Sequence, residues 1–181
     1  MNEESMIRHD RMRFTKNTTS SRLALLAIVF NVLFFVSIYK VNNIEYYKWL
    51  MGISILYNLV FMLATFLASE GVKNYKIHFS ILLIILAIGQ IIRIFIYPSK
   101  MFNTPWDSKV PLGETVIEQI TEGNTVKEIE RENRVMESPQ HIRMIIYLML
   151  SAFCLLASAV INYLKSRALT AHIANLSMQK A

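Results

Sequence analysis

Phe79-Ser-Ile-Leu-Leu-Ile-Ile-Leu-Ala-Ile-Gly-Gln-Ile-Ile-Arg-Ile-Phe-Ile-Tyr97 is a run of 19 residues with a single charge. A helix needs about 20 apolar residues to cross about 30 Å of hydrocarbon. One such run also suits a buried helix of a soluble protein. Three more decide the matter, at residues 23–39, 49–69 and 144–164. A 181-residue chain that is 54% hydrophobic cannot hide four of them in one soluble core. Backbone groups in lipid must satisfy one another, so the spans are helices. The short alternating segments of a β-barrel are absent. The fold expected is an all-α integral membrane protein with four transmembrane helices.

Outward from the spans, the chain divides into residues 1–22, a membrane domain over 23–164, and a tail over 165–181. No small-residue cleavage site follows the first apolar run, so that run is expected to stay as an anchor. Arg8, Arg11, Arg13, Lys16 and Arg22 precede it, and Lys165, Arg167 and Lys180 follow the last. An even number of spans puts both ends on one side, and positive flanks favour the cytoplasm. The net charge of +6 therefore reads as headgroup contact and orientation, and nucleic acid is not an expected partner. Wording rich in Lys, Asn and Ile points to a bacterial plasma membrane. Trp49, Trp106, Tyr46, Tyr47 and Tyr97 would form an outer aromatic belt.

The connection over residues 98–140 falls outside. It carries five basic and eight acidic residues. Val116, Ile117 and Ile120 share a helical face, Gly123-Asn124 breaks it, and Thr125-Val-Lys-Glu128 matches a capping box. Short helices are expected here, too small for a core of their own. In the tail, Leu169, Ile173 and Leu176 suit an interfacial helix. The N-terminal twenty residues are expected to be flexible.

Polar side chains inside the spans must face the bundle. Asn31, Asn58, Gln90, Arg93 and Ser151 are the candidates for an intramembrane polar site, with helix-packing glue as the plainer reading. Ser54, Asn58 and Thr65 share one face of the second span, and Ser151, Cys154, Ser158 and Asn162 run down the fourth. Ala64, Ala68, Cys154 and Ser158 suit close helix packing. Arg93 sits one turn from Tyr97-Pro98, so its stem can snorkel to headgroups. Turned inward, its nearest acids would be those between Glu114 and Glu122.

Catalytic chemistry finds little footing. No acid lies in a span core, so proton relay lacks its groups. His9, His78, His141 and His172 fall near span ends on both sides and cannot converge on a metal. The chain has five glycines and no phosphate loop. No cofactor is expected. The reading is a non-enzymatic scaffold or accessory subunit, with the bilayer and a protein partner or a second copy as contacts. The alternative is a homo-oligomeric transporter or channel for a small solute.

Overall fold

The computed structural model describes residues 7, 10–39, 48–105, 107–122 and 125–178. The belt positions Tyr46, Tyr47 and Trp106 lie outside them, as does the Trp49 side chain. The elements are α1 (Thr18–Tyr39), α2 (Lys48–Lys73), α3 (His78–Ile96), α4 (Pro98–Phe102), β1 (Thr115–Glu122), β2 (Thr125–Glu132) and α5 (Ser138–Met178). Four of these helices are long and apolar enough to span a membrane.

They form an up-and-down bundle. α1 and α3 each pack on α2 and α5, so α1 stands diagonally across from α3. The outward face is apolar: Leu56, Leu63, Phe66, Ile85, Phe95 and Phe153 are each more than half exposed. Such a surface suits hydrocarbon and would aggregate in water. Small residues face inward along α1 and α5. Ala24, Ala27 and Ala159 are fully buried and join Phe61, Leu83 and Leu155 in one core. Their size lets backbones approach until the Ser20 hydroxyl donates to the Ser158 carbonyl at 2.6 Å and Ser158 returns the bond at 2.7 Å.

The ends of the spans extend past the apolar runs. α1 begins at Thr18, and Asn17, Ser20 and Ser21 are buried, so this stretch is not the flexible lead the sequence suggests. The Asn17 amide donates to Asn162 at 3.3 Å, and its backbone N–H donates to the Lys73 carbonyl at 2.9 Å. Buried partners outweigh the polar composition here. α5 has 41 residues, about 60 Å at 1.5 Å per residue, roughly twice the length needed to cross about 30 Å of hydrocarbon. The tail is its continuation. His172 is 5% exposed on it and lies 3.8 Å from Asp10.

The α2–α3 connection is a tight cap. Lys76 N–H donates to the Gly71 carbonyl and Tyr75 N–H to the Val72 carbonyl, with Tyr75 at φ 54°. This is a Schellman turn with tyrosine where glycine is usual. The Ser166 hydroxyl donates to the Tyr75 carbonyl at 2.6 Å and ties the turn to α5.

The long connection corrects the expectation of helices over 113–136. After the short α4, which has Pro98 in its first turn, the chain forms an antiparallel hairpin. Its register runs from Thr115↔Glu132 to Glu122↔Thr125. Thr115, Val116, Ile117, Ile120 and Thr121 in β1, and Thr125, Val126 and Ile129 in β2, are all β-branched. That composition favours strands over the apparent helical spacing. Gly123-Asn124 is a dipeptide suited to a two-residue hairpin loop. Thr125 and Glu128 therefore belong to β2 and form no capping box.

Asn133 anchors the hairpin's base. It is fully buried, its amide donates to the carbonyls of Asp107 (3.0 Å) and Val110 (2.6 Å), and its oxygen accepts from Asp107 N–H at 2.8 Å. Beyond it, Val135 and Met136 enter a core with Phe34, Ile38, Tyr97 and Met144, which seals this end of the bundle. Asn133→Leu strips these partners and is expected to loosen the connection by about 2 kcal/mol. Limited proteolysis should then cut within residues 103–137 faster than in the native chain, while the spans stay protected.

Candidate functional site

On α3, Leu83, Ala87, Gln90 and Ile94 recur at helical spacing and are buried, which aims this face at the bundle axis. Arg93 follows Gln90 by three residues and shares that direction. It is 2% exposed. The guanidinium is turned inward instead of snorkelling, because oxygens from two other spans meet it.

Arg93 Nη1 donates to Asn31 Oδ1 of α1 at 2.9 Å and to Asn58 Oδ1 of α2 at 3.0 Å. Its Nη2 donates to Ser54 Oγ at 3.0 Å. Gln90 Nε2 donates to the same Asn31 oxygen at 3.2 Å. The Asn31 amide donates to Asn58 Oδ1 at 2.9 Å, and the Asn58 amide donates to the Ser54 carbonyl at 2.8 Å. The guanidinium carbon lies 4.4 Å from the Phe34 ring centroid, 4.7 Å from that of Tyr57 and 5.6 Å from that of Tyr97. Tyr97 thus points into the bundle instead of serving an outer belt.

A planar fork with fixed donors suits this job better than an ammonium would. Aromatic faces add attraction that grows once water is excluded. Gly89 makes room: a Cβ there would stand 2.8 Å from the Tyr57 hydroxyl. Among the described residues, no carboxylate lies within ion-pair distance of Arg93.

The structure therefore gathers Asn31, Asn58, Gln90 and Arg93, and adds Ser54. Ser151 lies elsewhere; its hydroxyl donates to the Ala27 carbonyl at 3.0 Å. Asn162 centres a separate polar layer at the opposite end, donating to Ser80 Oγ at 2.8 Å and the Lys76 carbonyl at 3.1 Å. Of the small-residue positions, Ala68, Cys154 and Ser158 are buried and Ala64 is half-buried. Phe34 and Tyr57 carry no sequence signal that separates them from lipid-facing aromatics. The shared phase of Ser54 with Asn58, and of Gln90 with Arg93, is the part that spacing reveals.

The cluster holds hydrogen-bond donors and neutral acceptors around one cation. It has no nucleophile with a base. Among the described residues no group of three His, Cys, Asp or Glu side chains is placed to hold a metal. No protein-family model matches the chain, and neither a curated protein nor a solved structure matches it.

Arg93→Leu and Asn31→Leu are each expected to cost about 3 kcal/mol, since each strands buried polar groups. The double variant should cost less than the sum by at least about 1 kcal/mol. Unfolding in mixed micelles of rising SDS fraction measures all three. Gly89→Ala meets only the Tyr57 hydroxyl, the far end of a side chain that can shift, so it should destabilise the chain by less than about 1 kcal/mol, and Gly52→Ala, with open space around it, should not destabilise it.

Proposed function

We propose that the chain is a non-enzymatic scaffold or accessory subunit of a membrane complex. It sits in the plasma membrane with both termini cytoplasmic, and its outer hairpin is the surface that a second protein takes. The observation that carries this is the hairpin's isolation. β1 and β2 pair with each other, and no other described element packs substantially on them. A lone two-stranded hairpin is marginal in water. Its two outer edges leave backbone N–H and C=O groups ready for another strand. Residues 115–132 carry five acids and two bases, which favours a basic partner surface.

The polar groups of the spans support the same reading. Asn31, Asn58, Gln90 and Arg93 bond to one another inside a single bundle, away from the face a second copy would meet. A pathway between protomers lined by these residues has less support for that reason.

The test is a mild-detergent pull-down of the tagged full chain from its native membrane, with the complex weighed by native mass spectrometry. A stoichiometric second protein is expected. The Asn133 N–H donates to the Glu114 carbonyl at 2.7 Å, so two glycines can replace residues 115–132 without moving the loop's base. That variant should keep the bundle's unfolding midpoint and lose the partner. A homo-oligomer alone would sink the proposal.

A further inference from the structure

The N-terminal segment meets the ends of the spans at two cavities whose charges differ. In the larger, about 590 Å³, Asp10 lies 3.2 Å from Arg13 and 3.8 Å from His172, so a carboxylate already faces the basic groups. The smaller, about 350 Å³, is lined by Arg11, Lys16 and Lys165 together with Thr15, Thr19 and Tyr75. Among the described residues no acid lines it, and none lies within ion-pair distance of its three cations.

The walls of this smaller cavity are tied to the bundle. Lys165 Nζ donates to Asn17 Oδ1 at 3.2 Å, a neutral partner that holds the ammonium and leaves its charge uncancelled. The Asn17 N–H is fixed on the Lys73 carbonyl at 2.9 Å, and the Ser166 hydroxyl holds the Tyr75 carbonyl at 2.6 Å. Thr15 closes the turn between Arg11 and Lys16, since its N–H and its hydroxyl both donate to the Arg11 carbonyl. Tyr75 keeps φ 54°, a conformation that disfavours any residue with a Cβ. Glycine there would relieve the strain and remove part of the cavity wall.

The cavity lies at headgroup depth. Thr19 stands just before the first apolar run, at 23–39, and Lys165 just after the last, at 144–164. Phe14, between Arg11 and Lys16, is 81% exposed, and an apolar ring there suits the boundary between headgroups and acyl chains. We propose that this cavity binds the phosphate of one anionic phospholipid. The phosphate oxygens accept charge-assisted hydrogen bonds from Arg11, Lys16 and Lys165, which lose their mutual repulsion as it enters. Convergence on one cavity sets this apart from the diffuse attraction of basic flanks to a membrane surface.

The test counts ligands on the full chain by native mass spectrometry from micelles of an uncharged detergent. Phosphatidylglycerol, phosphatidylcholine and soluble glycerol phosphate are titrated separately. One phosphatidylglycerol should bind saturably, about tenfold or more tightly than either of the others. Arg11→Gln and Lys165→Gln should each weaken it by about tenfold, one charge-assisted hydrogen bond's worth. Arg22 and Arg167 are exposed near the same span ends and do not line the cavity. Arg22→Gln and Arg167→Gln remove the same charge and should change binding by less than about twofold. Arg11→Gln leaves the contact of Lys165 with Asn17 in place, so it decides should Lys165→Gln misfold. No preference for phosphatidylglycerol over phosphatidylcholine, or equal losses in all four variants, would overturn the inference. Glycerol phosphate binding as tightly as the lipid would make the ligand a soluble phosphate and overturn it too.

Discussion

A guanidinium held away from water among three spans is the constraint on which the rest of this bundle depends. Taking a charge into a low-dielectric interior costs several kcal/mol unless fixed dipoles replace its hydration. Asn31 from α1, Ser54 and Asn58 from α2, and Arg93 from α3 supply that replacement together. No two of these helices can do it alone. α1 and α3 stand diagonally, so the cluster reaches across a bundle whose direct packing runs only around its perimeter. Tyr97, Val135 and Met136 close the space above it. The hairpin's base is thereby coupled to the spans through the same core.

The other polar groups follow one logic at lesser stakes. Apolar contact does not favour one helix pairing over another in lipid, because hydrocarbon competes equally well. Directional bonds and small residues do. Ser20 with Ser158 fixes the register of α1 on α5, and Asn17 with Asn162 repeats it one turn away. Ser80 and the Tyr75 carbonyl bring α3 and its preceding turn onto the same strip of α5. Register is thus set at both ends of the bundle, by neutral bonds at one and a cation at the other.

Much of this was legible in the residues. Hydropathy located all four spans, because the solvent leaves helices as the only open form. Phase put Ser54 with Asn58 and Gln90 with Arg93. Phase could not say whether Arg93 turned inward, since one turn from a span end both headgroups and bundle lie within reach of a long side chain. The deciding oxygens sit 35 and 62 residues away. The connection between α3 and α5 defeats the spacing argument for a different reason. Val116, Ile117 and Ile120 fit a helical face, and only their β-branching, repeated in the following segment, argues for strands. The buried start at Asn17 was hidden because its partners, Lys73 and Asn162, are distant in sequence.

The proposed subunit role leans on an unpartnered hairpin, whereas the account of the bundle itself rests on the Arg93 cluster as a rigid, dry element. The most direct test is NMR of the full chain in micelles with arginine side chains labelled with nitrogen-15. One guanidinium is predicted to exchange slowly with water, to carry ring-current-shifted protons, and to show cross-peaks to the Phe34 and Tyr57 rings. Its signals should vanish in Arg93→Lys. If every arginine side chain exchanges freely with water, Arg93 lies at the headgroups and the account fails.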